Sequence, residues 1–169
     1  RVNRAPILDE VVVAVDPPAS HDARADECGI VVAGRAGDAF YVLADRSLAQ
    51  ATPSQWAGAA VAAAKVYSAD RIVAEVNQGG DMVVDTLSRA GPTAPVCAVR
   101  ASRGKAVRAE PVSLLYERGL VHHVGLFTAL EDQLVMLGHE TRSPDRADAL
   151  VWAISDLMRK GGTPRLRYL

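Results

Sequence analysis

A mixed α/β fold, one β-sheet flanked by helices, is predicted by three features of this 169-residue chain. Three β-rich runs crowd its first 45 residues, later apolar runs alternate with helical stretches, and Gly or Pro punctuates most junctions. The runs at 10–16, 28–34 and 39–45 are strands, with Arg35-Ala36-Gly37-Asp38 a compact turn between the second and third. Between the first two, the polar, Pro-containing PPASHDARADE segment is an exposed loop at the exit of the first strand.

From Thr52 the period changes. Trp56, Ala60, Val61, Ala64 and Tyr67 recur at helical spacing, with Ser or Thr of Thr52-Pro53-Ser54 available as a cap and Pro just inside. A strand at 71–76 follows, Gly79-Gly80 opens a helix at 81–89 that stops at Gly91-Pro92, and 95–100 is a fifth strand. Residues 105–118 are helical, with Pro111 predicting a bend or the start of the main segment, and Gly119 ends them. A short apolar stretch, LVHHVG, precedes helices at 127–137 and 146–159, and GGTPRLRYL is an extended tail. Strands joined by turns pair antiparallel, whereas strands separated by helices pair parallel. The expectation is a five-stranded mixed sheet, three antiparallel strands then two parallel ones.

With 49% hydrophobic residues the chain can bury one core, so residues 1–169 are read as a single domain with its core at about 9–158 and a basic tail at 160–169. It opens on Arg1, and nothing before Asp9 resembles a secretory signal or a membrane span, which suggests an excised fragment that is neither secreted nor membrane-bound. The net charge of -1 excludes an all-over electrostatic grip on nucleic acid but leaves room for a local basic track. Cys28 and Cys97 sit in apolar stretches without zinc or disulfide spacing, and read as buried thiols in a reducing cytosol.

Three acids carry the chemistry. Asp16 ends the apolar run VVVAVD and Glu75 ends RIVAE; a carboxylate there is costly unless charge or hydrogen bonds compensate it. Both face one side of the sheet if their strands are neighbours. In the 146–159 helix, Ala147, Leu150, Val151, Ile154, Leu157 and Met158 form an apolar stripe with Asp148 on its shoulder and Asp145 further toward solvent. Asp145 reads equally as a first-turn charge favoured by the helix dipole and as an additional ligand. Hard oxygen donors without metal-spaced His or Cys select Mg²⁺ or Mn²⁺, and two such ions hydrolyse phosphodiesters.

At these residues the sequence resembles the nuclease domain of the large terminase subunit of tailed bacteriophages and gene transfer agents. The resemblance runs from about Val11 to Leu157 and is carried by VVVAVDPPAS with ADECGIVVAG, by RIVAEVNQGGDMV, and by SPDRADALVWAISDL, with ASRGKAVRAEPVSLLYERGLVHH between the last two. It implies an RNase H-like fold and a two-metal endonuclease that cuts concatemeric double-stranded viral DNA in the host cytoplasm. Asp16, Glu75 and Asp148 would be the catalytic and metal-binding acids, with Asp145 a further metal ligand. The packaging ATPase domain of such proteins is absent, since no glycine-rich loop ending in Gly-Lys-Ser or Gly-Lys-Thr occurs. Portal protein and small terminase subunit would be partners of the full-length protein.

Arg100, Arg103, Lys105 and Arg108 form a basic cluster without an intervening acid. Charge alone reads equally as phosphate contact or as a solvated turn; the resemblance favours contact with DNA. Gly79-Gly80 reads first as a turn, and His122 and His123 face opposite sides of a strand, too far apart in direction to share a metal. His21 and Asp26 in the first loop, and Arg159, Lys160, Arg165 and Arg167 at the end, are open to DNA contact or to plain solvation. Rival readings are another RNase H-like nuclease, such as a Holliday junction resolvase or RNA-hybrid nuclease, and a non-catalytic module that binds DNA or a partner.

Overall fold

The computed structural model describes residues 1–18, 27–77, 79–102, 104–136 and 144–159. Strands β1 (Glu10–Asp16), β2 (Glu27–Ala36), β3 (Ala39–Asp45), β4 (Leu48–Ala49), β5 (Arg71–Glu75), β6 (Val96–Val99) and β7 (Val121–His123) form one sheet. Its order is β6-β5-β1-β2-β3-β7, with β4 paired to β2 off that path. The antiparallel β1–β2–β3 set and the parallel β1–β5–β6 set meet at β1, as the strand spacing predicts. Seven strands replace the five expected. The additions are the two-residue β4 and the three-residue β7, the latter read as a strand at His122-His123 but left out of the expected sheet, where it lies parallel to β3 at the edge.

Every residue of β1 is buried, because this strand has a neighbour on each side and helices on both faces. Its side chains alternate between two cores. Val11, Val13 and Val15 pack with Ile72 and Ala74 under α1 (Pro53–Val66) and α2 (Asp81–Arg89). Val12 and Ala14 pack with Val73 against Leu150, Ile154 and Leu157 of α5 (Asp145–Arg159), with α3 (Lys105–Glu117) and α4 (Thr128–Val135) beside it. Each large side chain so buried contributes about 1.5–3 kcal/mol.

Local signals set the helix ends. Gln55 Oε1 accepts the Thr52 backbone N–H at 2.8 Å, and Pro53 occupies the first turn of α1, where its missing N–H costs nothing. Gly79 and Gly80 both have positive φ, 88° and 50°, so they make the strand-to-helix turn into α2. Pro111 neither ends nor starts a helix: α3 runs through it. His123 is buried and His122 half-buried, in keeping with opposite faces. Cys28 is buried as expected, while Cys97 is only half-buried, because β6 is an edge strand. The first loop residues His21 and Asp26, together with Arg103, Lys160, Arg165 and Arg167, lie outside the described residues.

Two ionic clamps hold α5 on the sheet. At its start, Arg146 donates to Glu27 of β2 through Nε and Nη2, both at 2.9 Å, and to Asp45 of β3 at 2.6 Å, while its backbone N–H donates to Gln133 of α4. Near its end, Asp156 accepts from Arg71 of β5 at 2.5 Å, and Arg71 lies 3.5 Å from Glu10 of β1. Bidentate and charge-assisted contacts fix orientation as well as energy.

Candidate metal centre

Asp16 closes β1 and Glu75 closes β5, and the parallel register pairing Val15 with Ala74 carries both acids to adjacent strand ends. Both continue the alternation of Ala14 and Val73, so both face α5. A side-chain hydrogen bond links Asp16 to Glu75. Burial first, then this bond and the charge of Glu75, then the charges of Asp148 and Asp145, push Asp16 well above the usual carboxylate range. Asp16 thus senses three acids from the middle and the end of the sequence.

The first turn of α5 brings in the other two. Asp148 N–H donates to Pro144 O at 2.8 Å, opening the helix, and both Asp145 and Asp148 are buried, at 8% and 5% exposure. Asp145 was expected further toward solvent. That expectation fails because α5 is covered from several sides, by the sheet and by α3 and α4, so its buried surface is far wider than one stripe; Met158, assigned to the stripe, is exposed.

What lets α5 come so close is Gly29 of β2, the register partner of Asp16. A Cβ on Gly29 would stand 1.9 Å from the Asp145 carbonyl oxygen and 3.0 Å from the Ala149 Cβ. Only glycine permits this approach. Sequence reasoning missed Gly29, for a close-contact glycine looks like any other in a strand until its partner is known.

Of the expected basic residues, two reach the acids. Lys105 Nζ donates to Asp148 Oδ2 at 2.5 Å, and Arg108 Nη2 lies 3.8 Å from Asp148 Oδ1. Burial pulls the Lys105 ammonium down, but the hydrogen bond and charge of Asp148, with Asp16 and Asp145 behind it, outweigh that and raise it. Arg100 is exposed just past β6, near the bond from Ala101 N–H to Asn77 Oδ1 at 2.9 Å. Burial also pushes the Cys28 thiol up, and the charges of Asp16 and Asp145 add to it, so Cys28 is no thiolate ligand.

The donor set, carboxylate oxygens with no neutral imidazole or thiolate among them, fits a hard divalent cation. Among the described residues no three His, Cys, Asp or Glu side chains already form a closed cation cage. Asp148 instead pairs with Lys105. The acids are gathered and electrostatically coupled, with Lys105 supplying part of the positive charge that such a cluster requires.

The sequence profile of the Terminase RNaseH-like domain matches residues 13–157, which include all four acids and both basic residues. The chain belongs to this terminase family. No curated protein sequence matches it. Among solved structures, the large terminase nuclease from thermophilic phage G20c with bound magnesium is 18% identical, with a TM-score of 0.69 over 90% of this chain and 82% of that one. The manganese-soaked human cytomegalovirus terminase nuclease domain is 13% identical, with a TM-score of 0.62 over 88% and 83%. The HK97 bacteriophage large terminase is 13% identical, with a TM-score of 0.68 over 92% of this chain but 40% of that one. At these identities the likeness establishes the terminase nuclease fold. No helix among the described residues is long and apolar enough to cross a membrane.

Proposed function

We propose that this terminase domain is a Mg²⁺- or Mn²⁺-dependent endonuclease that cleaves concatemeric, double-stranded viral DNA during genome packaging. The observation that carries the reading is the convergence of Asp16, Glu75, Asp148 and Asp145 on one side of the sheet, where Asp16 is strained electrostatically by the other three. Relatives of the same fold were solved with magnesium or manganese. Asp16 is the central ligand, Glu75 and Asp148 complete the set, and Asp145 is an additional ligand. When bound, two divalent ions supply Lewis-acid activation of a water nucleophile and neutralise charge on the leaving oxygen.

The remaining work falls to the chain. Asp16, Glu75 and Asp148 would hold the cation, and Lys105, which pairs with Asp148, would neutralise charge beside it. Lys105, Arg108, Arg100 and Arg103 would contact the DNA phosphates, which carries no sequence information and weakens with salt. In the full-length protein the partners are the packaging ATPase domain, portal protein and small terminase subunit, in the host cytoplasm.

Plasmid cleavage with Mg²⁺, Mn²⁺ or chelator tests this. Wild-type protein should nick and linearise plasmid only with metal, and Asp16→Asn should fall to background while remaining folded. Undiminished metal-dependent cutting by Asp16→Asn would refute the assignment of Asp16. A wild-type preference for four-way junctions or RNA–DNA hybrids would replace the packaging substrate with one of those.

A further inference from the structure

Beside the acidic centre, three buried nitrogen atoms have no hydrogen-bond partner: Nε and Nη1 of Arg108 and Nε1 of Trp152. Arg108 stands one helical position group beyond Lys105 on α3, and Trp152 four residues beyond Asp148 on α5, so each neighbours a residue of the centre along its own helix. The guanidinium lies over the indole, its central carbon 4.5 Å from the ring centroid. Its Nη2 reaches Asp148 only at 3.8 Å, an ion pair but too long for a hydrogen bond.

Such an arrangement is a poor way to build a core. A methionine would pack on Trp152 without carrying unmatched donors into the interior, and buried donors without acceptors cost folding free energy. The stack nevertheless holds the guanidinium flat, with its entropy already reduced, so little remains to be lost when an acceptor arrives. All three orphan groups are donors. A donor-only set selects an anion, and a planar fork matches paired oxygens such as those of a phosphodiester.

We infer that Arg108 and Trp152 form a phosphate-oxygen site adjoining the acidic centre, which holds one DNA phosphate in register with Asp16 and Asp148. This rests on the nuclease reading for the identity of the polymer. Lys105 differs in kind: its side chain is half exposed, and it is a point charge on a flexible stem. Arg108 has 13% of its side chain exposed and stays in place on the indole.

Binding of short duplex oligonucleotides in chelator, where cleavage does not intervene, tests the site by fluorescence anisotropy. One set of duplexes carries a single uncharged methylphosphonate, moved along the strand. Wild-type protein should lose about tenfold in affinity when the neutral linkage falls at one position, the scale of a single charge-assisted contact. Arg108→Met should bind about tenfold more weakly and no longer sense that position. Arg108→Lys, which keeps the charge and loses the fork, should recover only part of the affinity, and Trp152→Phe, which keeps a stacking face and loses the N–H, should lose several-fold.

Thermal melting separates this from a structural role: Arg108→Met should melt no lower than wild type, since it removes unmatched buried donors. Unchanged affinity and an unchanged methylphosphonate profile in both Arg108→Met and Trp152→Phe would overturn the inference, as would a marked drop in melting temperature with affinity intact. A wild-type protein that never cuts duplex, yet shows these shifts, would sink the nuclease reading and support the phosphate site. A wild-type protein that cuts, with variants indistinguishable from it, would do the reverse.

Discussion

Gly29→Ala is the sharpest perturbation of this molecule, because it adds one methyl group at the point where α5 meets the sheet. The new Cβ would stand 1.9 Å from the Asp145 carbonyl oxygen, and ordinary contact begins at 3.4 Å, so about 1.5 Å of separation must be found. The obstructing atom is helix backbone, which cannot rotate aside. Downstream, Leu150, Ile154 and Leu157 are buried and Asp156 is held by Arg71, so the start of the helix lifts rather than the whole. That start carries Asp145 and Asp148. Overpacking of this kind costs about 1–3 kcal/mol, and a displacement of about 1 Å in catalytic groups costs on the order of 10²-fold in rate. Urea unfolding and manganese-dependent plasmid cleavage measure the two effects. Gly58→Ala in α1, where an added Cβ meets nothing within 4 Å, is the control and should be neutral or slightly stabilising. A Gly29→Ala protein with wild-type stability and wild-type cleavage would show that α5 does not need this approach.

Two further outcomes are expected. Arg146→Met strands the Glu27 and Asp45 carboxylates and frees the start of α5; it should cost about 2–4 kcal/mol in urea unfolding, less than a fully buried pair because Glu27 keeps 30% of its side chain exposed, and should lower cleavage as well. His123 Nδ1 donates to Glu131 Oε1 at 2.9 Å and its Nε2 accepts from Tyr116 Oη at 2.7 Å, and burial lowers it below its ordinary 6.5 despite the carboxylate. A lowered histidine favours the neutral form on folding, so its contribution is present above pH 6.5 and is lost as pH falls through the lowered value. The urea midpoint should therefore drop on acidification below pH 6.5, and His123→Asn should flatten that part of the profile; an identical slope in the variant would show that other groups govern it.

The centre of the fold was legible because β1 and β5 are long, apolar and end in acids, which is what a buried strand with a polar task looks like. Its margins were not. β4 has two residues, too few for alternation to register, and the strand read at His122-His123 gave no sign that it would lie parallel to β3; both exist because longer strands offer them an edge. Asp148 was found by helical phasing, whereas the burial of Asp145 was missed because phasing assumes one covered face and α5 has several. Lys105 and Arg108 were found as charges; their attachment to Asp148, and the stacking of Arg108 on Trp152, depend on how α3 crosses α5 and leave no trace in local sequence.

The acids at positions 16 and 75 are made early and those at 145 and 148 late, yet the cluster exists only once all are packed together. A ribosome has therefore to release almost the entire domain before the acidic cluster can assemble. Any chemistry that needs all four carboxylates waits on the completed fold, and a prematurely ended chain cannot perform it.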